Sequence, residues 1–202
     1  MGKRIRRHAD PFQCRIAVSP DAWMGAYRKH GEGEIWLDLG CGKGEFPAGL
    51  AEVCPGIFFI GLEIRGKIAE AYFPKYRRLP NLVLLHGNVN LSIPSMMDGR
   101  KVQRVFIHFP DPYTHKGRYK KRRMVNEALV EGLCEILAPG GTVSVKTDDK
   151  ALFEDMNALL SARLEPLSEN AAPPYGAAVL SEWEEDCRGK SIPVHSRQYR
   201  FA

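Results

Sequence analysis

Short apolar runs alternate with stretches of helical spacing along most of this sequence, and that alternation leaves few folds open. The runs occupy residues 35–39, 57–62, 82–85, 102–109 and 142–146, each bounded by Gly, Pro, Asn or Asp. Runs this short and this apolar read as buried strands. Between them, residues 45–53, 67–78, 125–137 and 150–162 carry apolar side chains at helical spacing, the last two as clear amphipathic stripes. A strand that returns to its own sheet through a helix does so by a right-handed crossover, so the pattern predicts an α/β fold: a mostly parallel sheet with helices on both faces. The 202 residues fit one such core. Residues 1–33 read as a basic N-terminal segment holding one short helix near 20–29, started by Ser19-Pro20-Asp21, and residues 34–202 as the α/β domain. Residues 169–178 read as a loop and residues 194–201 as a closing strand.

The placement of charge says more than its net value of +5. Ten of the 29 Lys and Arg residues fall in two stretches free of acids: Lys3, Arg4, Arg6 and Arg7, then Lys116, Arg118, Lys120, Lys121, Arg122 and Arg123. The rest of the chain holds more acids than bases, so the positive charge is focused in two patches, the footprint expected of a polyanion partner. No apolar run approaches the length needed to cross a bilayer, and no hydrophobic stretch follows the basic residues of MGKRIRRHADPF. The five cysteines are scattered and never form a CxxC pair, which speaks against a disulfide framework and against a zinc site. The expectation is a cytoplasmic protein without metal or membrane association, as a monomer or homodimer.

In an open parallel sheet, ligands bind beyond the carboxyl ends of the strands, near the point where strand order reverses. The first run ends in Asp38-Leu39-Gly40-Cys41-Gly42-Lys43-Gly44-Glu45, which brings its glycines to that place. The spacing is GxGxG, not the GxGxxG of dinucleotide binders, and this disfavours a nicotinamide dehydrogenase. Without Cβ atoms, Gly40 and Gly42 let the backbone come close to a ligand, while Asp38 presents a carboxylate that a diphosphate would avoid. A ligand with an ammonium or sulfonium group suits it better. Glu63 ends the second run, 25 residues after Asp38, where an acid can take both hydroxyls of a ribose. Together these residues describe a pocket for S-adenosyl-L-methionine. Asn88, in Gly87-Asn88-Val89, stands where an amide can read an adenine edge, though alone it is an ordinary turn residue. Cys41 reads as small filler in the turn, since no His lies near it in sequence.

The fourth run, Val105-Phe106-Ile107-His108-Phe109-Pro110-Asp111-Pro112-Tyr113, stops at an acid bracketed by two prolines that stiffen its backbone. A rigid carboxylate beside a sulfonium methyl suits methyl transfer, either by orienting the nucleophile or by offsetting its growing positive charge. Six basic residues follow within residues 116–123, placed to contact phosphates.

FPDPYTHKGRYKKRR, preceded by LDLGCGKGEF and GLEI and followed by SVKTDDKALFEDM, resembles the tRNA (guanine-N7-)-methyltransferases that modify a guanine in the variable loop. The similarity spans about residues 33–184, and the block from FPDP to KRR carries most of its specificity. The resemblance implies a Rossmann-like methyltransferase fold with a mostly parallel seven-stranded sheet, S-adenosyl-L-methionine as cofactor and tRNA as partner. It implies cofactor-side roles for Asp38, Gly40, Gly42, Glu63, Asn88 and Asp111, with Asp111 also the catalytic acid. Lys116, Asp148, Ser181 and Glu184 would face the guanosine; the basic run itself, apart from the resemblance, assigns Arg118, Lys120, Lys121, Arg122 and Arg123 to the tRNA phosphates. The sequence departs from the family pattern at Tyr113, where Trp is usual, at Thr114, a one-residue insertion, and at Asn88 and Ser181, which replace Asp and Thr. A methyltransferase of the same fold acting on another RNA, a protein or a small molecule, and a non-enzymatic RNA binder, stand as the rival readings.

Overall fold

A computed structural model describes residues 11–93, 95–113, 117–167 and 179–202, with residues 117–119 described by their backbone. The elements run α1 (Asp21–His30), β1 (Ile35–Leu39), α2 (Glu45–Val53), β2 (Phe58–Glu63), α3 (Gly66–Tyr72), β3 (Leu82–His86), α4 (Val89–Ser92), β4 (Val102–His108), α5 (Glu127–Ile136), β5 (Leu137–Thr147), α6 (Lys150–Ser161), β6 (Glu165–Pro166), α7 (Glu182–Gly189) and β7 (His195–Arg200). The strands form one seven-stranded sheet in the order β3-β2-β1-β4-β5-β7-β6. The first five are parallel, as the alternation predicts, and the order reverses between β1 and β4. β7 is antiparallel to both β5 and β6. The chain comes back to the sheet from α7, which is tied to the carboxyl-end rim, so its last strand has to run down from that rim.

Two helical readings are trimmed by local chemistry. The stretch 67–78 is helical only to Tyr72, after which Pro74 turns the chain into a short 3-10 segment because it lacks an N–H for the helical ladder. The helix read from residue 125 begins at Glu127, because the Asn126 side chain accepts a hydrogen bond from the Leu129 N–H at 3.0 Å and caps it.

The period-2 alternation of each strand sorts side chains to two faces. Ile35, Leu37 and Leu39 of β1 join Phe58, Ile60, Leu62, Val105 and Ile107 in a core that also takes Trp23, Met24 and Tyr27 of α1, so residues upstream of β1 are packed with the sheet. Trp36, Phe59 and Phe106 face the other way and pack with Phe46 and Leu50 of α2. Asp38, Glu63 and His108 are in step with these aromatics, at or near the carboxyl ends of three adjacent strands. The hydrophobic alternation that builds the α2 face therefore also delivers three polar side chains to one rim.

Candidate active site

The turn after β1 is built by glycine. Gly40, Gly42 and Gly44 hold φ of +85°, +58° and +82°, left-handed conformations that cost other residues strain, and a Cβ on Gly44 would collide with the Leu84 side chain. The N–H groups of Gly40 and Cys41 donate to the Leu62 carbonyl at 2.8 and 2.9 Å, which stitches the turn to the end of β2. One Glu63 carboxylate oxygen accepts from the Gly42 N–H at 2.9 Å, while the Arg65 backbone N–H and guanidinium supply three further bonds of 2.8 to 3.0 Å. Glu63 thus links the glycine turn to the start of α3. Asp38 lies buried below, its pKa pushed up to about 8 by desolvation and secondarily by Glu63, so it keeps its proton at neutral pH. Burial likewise pushes the Cys41 thiol up, which fits filler rather than a nucleophile.

Across the rim, the chain leaves β4 through a strained turn. Phe109 and Tyr113 adopt φ of +50° and +47° without being glycine, conformations that cost on the order of 1–3 kcal/mol each and persist only where the surroundings enforce them. The Phe109 N–H donates to the Lys146 carbonyl at 2.7 Å, Tyr113 is buried, and Arg123 Nε donates to the Pro112 carbonyl at 2.8 Å. Arg123 is itself held by a close ion pair with Asp155 of α6, to which Lys120 also binds at 3.0 Å. This scaffold directs Pro110 and Asp111 into a cavity of about 520 Å³, close enough to Arg65 for Asp111 to help raise the guanidinium's pKa after Glu63.

The cavity brings together Gly40, Gly42, Glu63, Asn88, Asp111, Arg122 and Ser181. Asp38 lies behind its lining. Asn88 is already engaged: its amide donates to the Pro11 and Cys14 carbonyls at 2.9 and 3.0 Å, and its oxygen accepts from the Asn90 N–H at 3.1 Å, capping α4. The amide donors pin residues 11–14 beside the cavity that Asn88 lines, and the amide oxygen keeps a second lone pair. Ser181 caps α7 by accepting from the Glu184 N–H at 3.3 Å. Asp148 follows β5 at the same end of the sheet, outside the lining. Glu184 also lies outside it, both of its oxygens held by Lys146 Nζ at 2.8 Å. Of the basic run, Lys121 is exposed, Arg122 stands 5.9 Å from the Phe12 ring, and Arg123 is buried. Lys116, the Arg118 side chain and the arm at Lys3–Arg7 lie outside the described residues.

Four residues that the sequence reading left without a role complete the rim. Arg65 holds Glu63, Lys43 reaches Glu182 at 2.8 Å, Lys146 holds Glu184, and His108 lines the cavity. Lys43 sits inside the glycine motif, but its partner lies 139 residues away, a pairing no local pattern reveals.

A glycine turn after β1, an acid at the tip of β2 and a cavity over the point of strand reversal describe a Rossmann-like site for a nucleoside-bearing cofactor. Comparison with known proteins narrows the class. The family model described as "Putative methyltransferase" matches residues 32–195. The tRNA (guanine-N(7)-)-methyltransferase of Synechococcus sp. (strain JA-3-3Ab) is 31% identical over 209 residues, covering 96% of this chain and 84% of that protein. The protein of that name from Thermosynechococcus vestitus is 37% identical over 159 residues, covering 76% and 73%. The chain belongs to the tRNA (guanine-N(7)-)-methyltransferase family. Among solved structures, the 16S rRNA methyltransferase KamB superposes with a TM-score of 0.62 over 100% of this chain and 98% of that one; at 16% identity it shows a shared fold.

Proposed function

We propose that this chain transfers the methyl group of S-adenosyl-L-methionine to N7 of a guanine in the variable loop of tRNA, in the cytoplasm. The observation that carries the reading is the convergence of Asp111, on its strained and pinned turn, with the glycine turn and Glu63 around one cavity. Its volume of about 520 Å³ suits a nucleoside-sized ligand. Asp38 offers a carboxyl to an ammonium or sulfonium group, Glu63 offers acceptors to ribose hydroxyls once Arg65 yields, and Gly40 and Gly42 admit the ligand to the backbone. The cofactor supplies an electrophilic methyl on a sulfonium.

Guanine N7 carries a free lone pair and no proton, so the attack needs no general base. The product base is cationic. Asp111 orients the base and offsets the positive charge that spreads into its ring, a role in which a fixed carboxylate is worth more than a mobile one. Lys116, Asp148, Ser181 and Glu184 border the guanosine side, while Arg118, Lys121 and Arg122 contact phosphates and add salt-sensitive affinity. The placements of Lys120 and Arg123 on Asp155 favour holding the turn. Incubating the protein with methyl-labelled S-adenosyl-L-methionine and bulk tRNA tests the reading: label is expected in tRNA, and label found only in protein or small molecules overturns the substrate assignment. A non-enzymatic RNA binder would bind tRNA yet show no heat with S-adenosylhomocysteine.

A further inference from the structure

Phe12 is 55% exposed, the most open large apolar side chain among the described residues. Single apolar side chains scatter over any protein surface and mean little by themselves. This one differs in how its backbone is held. The buried Asn88 amide donates to the carbonyls of Pro11 and Cys14, and the Asn88 N–H donates to the Ile16 carbonyl at 2.9 Å. Three bonds from one buried residue thus fix the chain on both sides of Phe12 and Gln13, which are themselves exposed. A ring with few rotatable bonds on a fixed backbone loses little entropy when a partner covers it.

The surroundings say what that partner is. Pro11 and Arg122 line the cavity, whereas Phe12, next to the one in sequence and to the other in space, stands outside the lining. The Arg122 guanidinium, 5.9 Å from the ring centroid, brings the basic run of residues 116–123 up to the phenyl, and Lys121 beside it is exposed. An open aromatic ring with an arginine against it and further cations along the chain is the chemistry of a nucleic-acid platform, in which the ring stacks on a base and the cations take phosphates. A guanine that enters the cavity leaves its stack and uncovers the face of the nucleotide beside it. We infer that Phe12 stacks on a nucleotide flanking the methylated guanine and so offsets the cost of drawing that guanine into the cavity. This inference rests on the tRNA-guanine reading above.

The test is a cycle between protein and substrate, using the full chain and three tRNA transcripts: one intact, and two that are abasic at one or the other neighbour of the modified guanine. Phe12→Ala is expected to lower kcat/KM on the intact transcript about tenfold, and on one of the abasic transcripts by no more than about twofold, because the base it stacks on is already missing there. Filter binding of the same transcripts closes the cycle where turnover is slow. The log–log salt slope is expected to stay unchanged, since a phenyl releases no counterions. Phe12→Trp is expected to keep most of the wild-type rate, and Phe12→Leu, which has apolar bulk but no ring, to lose as much as Phe12→Ala. Equal losses on all three transcripts, no loss on the intact one, or a wild-type rate for Phe12→Leu overturn the inference. So does a tenfold fall in S-adenosylhomocysteine affinity with Phe12→Ala, which would put the ring on the cofactor. Should Phe12→Ala fail to fold, the same cycle is read with Phe12→Leu. A wild-type protein that methylates no tRNA guanine overturns the functional reading and this inference with it, whereas an active wild type with an indifferent Phe12→Ala overturns the inference alone.

Discussion

Two turns feed the same cavity, and they are stabilised in opposite ways. The turn after β1 takes left-handed backbone at three positions and fills all three with glycine, so its shape is relaxed and encoded where it occurs. The turn after β4 takes left-handed backbone at Phe109 and Tyr113, and is held in it by contacts from β5 and from Arg123, itself anchored on α6. The first turn needs only to let a ligand approach. On the proposed mechanism the second has to keep one carboxylate still against the pull of a relaxing backbone, and it borrows its rigidity from the rest of the fold. Strain that the surroundings enforce is a common accompaniment of a reacting group.

On the proposed mechanism, removing the carboxylate that the strained turn carries is the heaviest blow. Asp111→Ala is expected to cut methyl transfer to tRNA by about 10²–10³-fold while the melting temperature stays close to wild type; a variant that retained full turnover would remove Asp111 from the chemistry. Next comes the relaxed turn. Gly44→Ala forces a Cβ into Leu84 at a left-handed position, and is expected to cost about 1–3 kcal/mol of stability and most S-adenosylhomocysteine binding. Thermal melts and calorimetry read both, and unaltered values on both would show that the turn has more room than its geometry allows.

Arg123→Met and Lys121→Ala sharpen the contrast between a basic residue that holds the turn and one that meets tRNA. Arg123→Met is expected to lower turnover about tenfold with the salt dependence of tRNA binding unchanged, whereas Lys121→Ala should spare turnover and reduce the log–log salt slope by about one. Filter binding across a salt series separates the two, and a reduced slope for Arg123→Met would make it a phosphate contact.

The smallest effect is a proton. Asp38 titrates near 8 in the folded chain against an ordinary value of 3.8. Between those values the native state holds a proton that the unfolded state has released, so this residue's contribution to stability falls as pH rises through the window and Asp38→Asn removes that slope. A cationic ligand group beside Asp38 would pull its pKa down, so binding of S-adenosylhomocysteine near neutral pH is expected to release protons. Calorimetry in buffers of different ionisation enthalpy measures the release, and binding without it would place the ammonium away from Asp38.

The same contrast explains how much was legible in the sequence. The glycine turn, Glu63 and the proline-bracketed acid are local features, and each sits where the strand alternation put it. Five parallel strands follow from apolar runs, but the antiparallel entry of β7 does not, because its direction depends on where α7 is anchored. Asn88 reads as a cavity residue and lines the cavity, but that its donors hold Pro11 and Cys14, more than seventy residues upstream, was not legible. Arg123 looked like one of a cationic run, and only the fold shows Asp155 beneath it. His108 stood in plain view within the most specific motif, but nothing in the string shows that its ring nitrogens are buried without a hydrogen-bond partner among the described residues. Side chains whose partners are distant in sequence gave no signal.

Strand scission at the product base tests the central claim most directly. After incubation of tRNA with the protein and S-adenosyl-L-methionine, borohydride and aniline cleave the chain at N7-methylguanosine. One new cleavage in the variable loop, absent without the cofactor and absent with Asp111→Ala, is the predicted result. An uncleaved variable loop under conditions where the protein binds S-adenosylhomocysteine would contradict it.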